Sequence, residues 1–300
     1  SVLNSLRRGL LDSLRASRSV PMSWETGEFH PGVRYENRRE APILNLSLRT
    51  AGQLTDALLD LGPGIVYLPA AEAAAHPEAV KRVLDHGVRA GVTLPRICWD
   101  RERQELYRDL EAARASGCTE ALAGTLDLLR PARDTDYNLR GDFGLSVFNS
   151  QALKELKRLG LSSATASFEL KLAQVRDISK ALDIELIVYG RLPLMVTENC
   201  IIKNRSGRCG CDGVNQLTDR KGERFPVVKA PGCRSEILNA KTLFLADKRG
   251  DYQRVGLWAA RLLFTTESAA ECVRVTERYL GRGSYEPKDY TRGLYYRDVE

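Results

Sequence analysis

Histidine is scarce in this chain, with three in 300 residues: His30, His76 and His86. None falls within an HExxH zinc pattern, and there is no Gly-x-Ser-x-Gly elbow, which removes the commonest metalloprotease and serine-hydrolase arrangements. His30 lies in a linker and the other two lie on or beside helices, where surface and helix-end roles are ordinary. No run of about 18 apolar residues is present, so no membrane-spanning helix is expected, nor is a charged-then-apolar leader visible. Seven cysteines in 300 residues are too few for a stapled fold, and they fit free thiols in a reducing cytoplasm. Charge is lopsided only slightly, with Lys and Arg outnumbering Asp and Glu by 45 to 39 for a net +6. That permits a nucleic-acid or other anionic partner, and an ordinary solvated basic surface explains it equally well. An initiator Met is lacking too; with Ser1 first, the expectation is a processed product or a piece of a longer protein.

What is present is concentrated between Glu185 and Asp247. Four of the seven cysteines, Cys200, Cys209, Cys211 and Cys233, fall there, spaced Cys-x8-Cys-x-Cys-x21-Cys among glycines and the basic Lys203, Arg205 and Arg208. Glycine lets a backbone wrap tightly, and nearby positive charge favours thiolate over thiol. A soft metal centre takes three or four thiolates converging from such loops. The spacing matches neither a common zinc-finger nor a common ferredoxin pattern, so it points to a metal without choosing between iron–sulfur and zinc. Cys98, Cys118 and Cys272 are expected to stand apart as ordinary buried or helix-surface thiols.

Residues 1–19 place apolar side chains at helical spacing and predict an amphipathic helix with a basic face; 20–41 read as a linker. From Ile43, short apolar runs recur at 43–48, 65–69, 92–97, 120–125, 141–147, 162–167 and 184–189, with an eighth at 257–264. Helical stretches at 51–61, 77–89, 101–116, 150–159, 170–182 and about 267–280 separate most of them. Near-continuous apolar strands alternating with helices predict a parallel sheet covered by helices, and eight units predict an α/β (β/α)8 TIM-like barrel. The domain layout is then an N-terminal helix and linker (1–41), a barrel (42–281) and a tail (282–300). A Cys-rich insertion, 190–241, follows strand seven on the face where barrel enzymes keep their active sites. The tail's mixture of Tyr, Arg and Gly suits RNA contact by stacking, or a terminal packing arm.

The order of these residues resembles the collagenase-like peptidase family U-32. That family's signature runs acid-x-Phe-x-His-Gly-Ala-Leu-Cys, with Gly-x-Cys seven residues on. Here Glu185 stands at the acid, Tyr189 at the His, Gly190 at the Gly, Leu192 at the Leu and Cys200 at the later Cys. Upstream, SVFNSQALKELKRLG and ATASFELKL resemble the family's LNxxN and SxEL elements, with Asn149 and Glu169 at the characteristic positions. Downstream, GCRSEILNAKTLFLAD resembles the Cys-rich and asparagine-serine-lysine stretch. The opening LNSLRR and closing YTRGLYYR resemble the second half of the long, multidomain branch, which implies that the rest of a longer chain is a partner. Two departures stand out. Pro193 replaces the first signature cysteine, so Cys209 and Cys211 are the candidates to supply the missing thiolates. The chain also reads Arg261-Leu-Leu-Phe-Thr265 where the family has LysIleGluGlyArg, keeping one base and losing the acid. The resemblance implies two activities, peptide-bond cleavage and oxygen-independent hydroxylation. The latter uses a 4Fe–4S cluster on an RNA base (tRNA or rRNA) or a quinone precursor, with prephenate as oxygen donor.

The residues themselves favour the second. Four thiolates are available for a cluster, whereas no histidine-based hydrolytic set exists. Glu169 and Glu185 are expected near the ends of strands six and seven, facing the barrel mouth, to position substrate or move protons. Tyr189 and Arg191 suit an aromatic or carboxylate group, and Asn149 and Arg261 complete the expected substrate-binding set. A non-catalytic scaffold stabilised by zinc or a cluster is the third class.

Overall fold

The computed structural model describes residues 1–30, 32–211, 213 and 215–297, and it divides into two compact units, the first Ser1–Val33 and the second from Arg34 onward. The first unit contains α1 (Val2–Arg18), the helix predicted over 1–19. Its last turn carries Arg15 and Arg18, where positive charge complements the carbonyl end of the helix dipole.

In the second unit, β1 (Ile43–Ser47) is followed by α2 (Asp56–Leu59), β2 (Ile65–Pro69), α3 (Ala70–Ala75), α4 (Pro77–Asp85) and β3 (Arg89–Thr93). The alternation continues through α5 (Asp100–Ala115), β4 (Glu120–Ala123), α6 (Leu129–Asp134), β5 (Asn138–Gly141), α7 (Ser150–Arg158), β6 (Ser163–Thr165), α8 (Leu172–Asp177) and β7 (Asp183–Gly190). Four further strands follow: β8 (Pro193–Thr197), then after α9 (Ile201–Ser206), β9 (Asn215–Thr218), β10 (Arg224–Ala230) and β11 (Arg234–Leu238). The chain returns through β12 (Thr242–Phe244), α10 (Arg249–Tyr252), β13 (Ala259–Leu263), α11 (Ala269–Tyr279) and β14 (Tyr290–Thr291). Strands β1 to β7 pair in sequence, all parallel, and β13 pairs in parallel with both β1 and β7. The sheet is therefore closed, an eight-stranded TIM barrel.

Alternation along the strands explains the layers. Outward residues such as Leu46, Val66, Val92, Ile184, Leu186 and Leu262 are buried against the helices in the main core, each such side chain contributing roughly 1.5–3 kcal/mol. Inward residues are largely polar: Asn45, Glu120, Arg140, Thr165, Glu185 and Arg261, with only Ile65, Tyr67 and Leu122 forming a small apolar cluster of their own. Gly91 is required here, because a Cβ would stand 2.7 Å from the Tyr67 ring that crosses the bore.

This polar bore shifts two strands from their predicted places. The third lies at 89–93 rather than 92–97, and the fifth at 138–141 rather than 141–147. Arg89, Asn138 and Arg140 break up the apolar signal, while Pro95 and the turn Phe143–Leu145 fall just beyond the true ends.

The insertion predicted over 190–241 forms a four-stranded antiparallel sheet, order β8-β11-β10-β9, leaving the barrel at the C-terminal end of β7. Gly190 makes the exit possible: its φ is +125° and a Cβ would lie 2.1 Å from the Leu263 carbonyl oxygen. The tail packs as an arm. Its β14 pairs with β12, and buried Tyr295 donates to the Ile187 carbonyl at 2.6 Å; residues 298–300 of the predicted tail lie outside the described residues. Among the described residues no helix is long and apolar enough to cross a membrane.

Candidate active site at the barrel mouth

The bore carries a buried charge network. Arg261, 1 % exposed, pairs with Asp142 and faces Glu185 Oε2 at 3.3 Å. Glu185 also accepts from Asn45 Nδ2 at 2.7 Å and from Thr165 Oγ1 at 3.2 Å. Deeper in, Arg140 Nε donates to Glu120 at 2.6 Å and its guanidinium stacks 4.4 Å from the Trp258 ring. Burial works against the charge of Arg261, but Asp142 and Glu185 more than offset it, so the guanidinium is held well charged. Not every donor and acceptor is used. Arg261 Nη1, Tyr67 Oη, Ser47 Oγ, Asn45 Oδ1 and Thr265 Oγ1 are buried with no hydrogen-bond partner among the described residues. Register places Asn45 beside Arg261 and Ser47 beside Tyr67 on three adjoining strands. Unpartnered buried polar atoms each cost about 1–3 kcal/mol, so their concentration in one place makes the bore the candidate site.

The four-stranded sheet docks on loops at the C-terminal face of the barrel. Glu236 on β11 is gripped by Arg49, just past β1, at 2.9 Å and by Arg96, past β3, at 3.8 Å. Arg49 also donates to the Lys229 carbonyl on β10. A second anchor is Arg234, 1 % exposed at its side chain. Its Nε donates to Glu198 at 2.5 Å, and its two Nη atoms make a bidentate pair with Glu102 at 3.0 Å each. Trp99 Nε1 donates to the same Glu198 oxygen at 2.8 Å.

All four cysteines of the insertion leave one end of this sheet. Thr197 at the end of β8 pairs with Ser235 on β11, next to Cys233, and β9 begins at Asn215 opposite Val227 near the end of β10. Cys200 follows β8, Cys209 and Cys211 precede β9, and Cys233 sits in the turn joining β10 to β11, at φ +60°. The sulfurs of Cys209 and Cys211 are 3.6 Å apart, and Cys200 lies near enough to Cys211 for the two thiols to influence each other's ionisation. The backbone N–H of Lys203 donates to Cys200 Sγ at 3.4 Å and lowers its pKa, the helix N-terminus favouring the thiolate. Cys211 is pushed up to about 11, chiefly by its hydrogen bond with Cys209. Cys233, exposed, shares the sheet end with these three without touching them, and among the described residues no group of three or more His, Cys, Asp or Glu side chains is placed to hold a metal ion.

Arg234 links the two cysteine-bearing turns, being adjacent to Cys233 and bonded to Glu198, two residues before Cys200. Arg234→Met should loosen the sheet by about 1–3 kcal/mol, the lower range applying because Glu198 is half exposed. Hydrogen exchange should rise across 193–238 and leave the barrel strands unchanged; a uniform rise would show that Arg234 supports the whole fold instead.

The profile of peptidase family U32 matches residues 71–213. That match spans slightly less than half of the chain. The U32 segment runs from α3 to the Cys209–Cys211 loop, so Cys233 lies beyond it. Among solved structures, a U32 peptidase is similar at 11% identity, covering 82% of this chain and 100% of its own, with TM-score 0.44. Thiamine phosphate pyrophosphorylase from Pyrococcus furiosus gives 11% identity over 81% of this chain and 96% of its own, with TM-score 0.46. Tryptophan synthase from Mycobacterium tuberculosis gives 11% over 80% and 92%, with TM-score 0.44. No curated protein matches.

The other residues singled out from the sequence are spread along the barrel. Glu185 lies within the bore, 2 % exposed, while Glu169 is exposed on the turn after β6, its N–H donating to Ser167 Oγ. Asn149 caps α7, accepting from Gln151 N and Ala152 N. Tyr189 is buried against Phe264 and Tyr279, its hydroxyl 3.3 Å from Glu267. Its position follows from a register shift between β7 and β13, which turns Tyr189 away from the bore. Arg191 Nη1 donates to the Asn239 and Ala240 carbonyls where the insertion leaves and re-enters. Cys118 and Cys272 are buried in the core, and Cys98 is half-buried in the β3–α5 loop beside Glu102 and Arg234. Sequence reasoning missed Asp142, Glu267, Glu236 and the Arg234 anchor. Each is a charge without a motif, and only three-dimensional pairing distinguishes it from a surface residue.

Proposed function

We infer that this U32-family barrel holds a thiolate-bound metal centre, a 4Fe–4S cluster, at the sheet end beside its mouth. In this reading it serves oxygen-independent hydroxylation of an RNA base or related aromatic substrate. The observation that carries it is the convergence of Cys200, Cys209, Cys211 and Cys233 on one end of a sheet docked over the bore. The donor set suits the group: the sulfurs of Cys209 and Cys211 already stand 3.6 Å apart, and a backbone N–H favours the thiolate of Cys200. Bound there, a cluster would supply one-electron chemistry. The chain's own part lies below it. Arg261, with Nη1 unpartnered, is offered to a carboxylate-bearing oxygen donor such as prephenate, and Tyr67, Ser47 and Thr265 give further hydroxyls. Glu185 is pinned by three neighbours and fixes the charge of Arg261, while exposed Glu169 is the carboxylate free to meet a proton at the rim.

Peptide hydrolysis finds less support. His76 pairs with Glu78, and His86 lies beside Asp56 and Asp60 on the barrel's outer helices. Zinc is the second reading, because 3.6 Å between Cys209 and Cys211 sulfurs is close to that of two ligands on one tetrahedral ion, roughly 3.7–4 Å, whereas a 4Fe–4S cluster needs roughly 6–7 Å. The glycines at 207, 210 and 213 would allow the loop to open to that spacing. The deciding comparison is RNA modification by the anaerobically reconstituted protein against cleavage of a collagen-like peptide by the metal-free protein. Modification abolished by Glu169→Gln with the metal retained is the expected result. Cleavage that survives removal of metal and loss of all four cysteines would overturn the proposal.

A further inference from the structure

At the other end of the barrel, residues 34–39 cross the N-terminal ends of β7 and β13. This strap is anchored at Tyr35, Asn37 and Arg38. The Tyr35 N–H donates to Ser179 Oγ at 2.8 Å, and Arg38 pairs with Asp183, the first residue of β7, at 2.7 Å. Asn37 is held from three sides: it donates to the Arg176 carbonyl at 2.9 Å, accepts from Lys180 Nζ at 2.6 Å, and packs where a Cβ on Gly256 would collide at 2.6 Å. Lys180 also donates to three carbonyls around the end of α8, and burial lowers its pKa to about 8.

Between the strap and the 176–178 and 253–254 segments runs an open groove of about 750 Å³. Five of its ten lining residues are arginines, Arg34, Arg38, Arg39, Arg176 and Arg254. Arg38 and Arg176 are engaged by Asp183 and Asp177, and Arg34 is near enough to Asp177 to lower its pKa. Arg39 and Arg254 are exposed and pair with no carboxylate among the described residues. Tyr35 lies at the rim, with Lys157 Nζ 5.2 Å from its ring. A pinned strap that sets Arg39 along one concave path with Arg254, five guanidiniums against the single lining carboxylate of Glu36, with an aromatic ring and the amides of Asn37 and Gln253 beside them, meets the physical requirements of a single-stranded nucleic acid site. Arginines neutralise successive phosphates, and an aromatic ring accepts any base. The groove is concave and polar, unlike the apolar face a membrane surface would need. We propose that this groove binds the phosphate backbone of a single-stranded nucleic acid, on the barrel face opposite the cysteine-bearing sheet and independently of any chemistry there.

The test uses the whole protein and a labelled single-stranded oligouridine, with anisotropy titrations over a range of salt. Arg39→Glu with Arg254→Glu should weaken binding at least about tenfold and flatten the salt slope by about 1.4, two contacts at roughly 0.7 each. Asn37→Ala removes no charge, so a loss of affinity with little change of slope is expected from the loosened strap. Thermal melts check that both variants are folded; both charge changes are at exposed positions. Arg7→Glu with Arg8→Glu, in α1, should leave affinity near wild type. Unchanged affinity and slope in the groove variant would overturn the proposal, as would equal losses in the α1 variant. Displacement of the oligouridine by polyglutamate at equal charge concentration would overturn it in favour of an acidic polypeptide.

Discussion

After Cys200→Ser or Cys233→Ser, the purified protein should retain less than about a tenth of the wild-type metal. A lost thiolate leaves the centre under-coordinated, and serine is too poor a donor to soft metals to replace it. Cys118→Ser is the matched control: that thiol is buried in the core, pushed up to about 12 by burial, and should leave metal content unchanged. The pH dependence has a definite sign. In the metal-free protein the Cys200 thiol is lowered, so its alkylation should begin at lower pH than that of an ordinary cysteine, whereas Cys211, near 11, should need a higher pH than Cys200. A metal held by these thiolates would have to displace the proton on Cys211, so loading should strengthen as pH rises and should release protons. Full metal content in both serine variants would remove these cysteines from the site.

Arg261→Met should be the most damaging single change to the fold outside the cysteine sheet. It keeps much of the volume but leaves Asp142 and Glu185 facing each other in the bore without their shared cation. Breaking a buried pair in this way costs about 3–5 kcal/mol, which for a protein of this size lowers the melting temperature by about 10 °C. Adding Glu185→Gln should recover part of the loss, because one uncompensated charge is removed while Asn45 and Thr165 still have an oxygen to bond. A variant that melts with the wild type would mean that the bore network contributes little and that the guanidinium is not held as described.

The barrel was legible because its outward faces obey a simple rule. Leu46, Val66, Leu186 and Leu262 lie under helices, and the alternation of such runs with helical periods gives both the strand count and the closure. The bore was not legible, since its residues are charged and sit one position out of phase with the signal; Arg89 and Arg140 displaced two strands for this reason. The cysteine set could be seen from density and glycine content, and the C-terminal placement of the insertion from its position after strand seven. What hid was every long-range pair. Nothing in the sequence ties Arg234 to Glu102, 132 residues away, or sets Glu236 between Arg49 and Arg96. Tyr189 illustrates a subtler limit: it occupies a signature position, yet the shift of register at Arg261 and Leu262 turns its ring into the helix layer.

The most direct test of the central claim is quantification of iron, acid-labile sulfide and zinc in the protein purified without oxygen. About four iron and four sulfide per chain are expected for a cluster held by these four thiolates. One zinc per chain with no sulfide, or no metal at all from a preparation whose four cysteines alkylate freely, would contradict it.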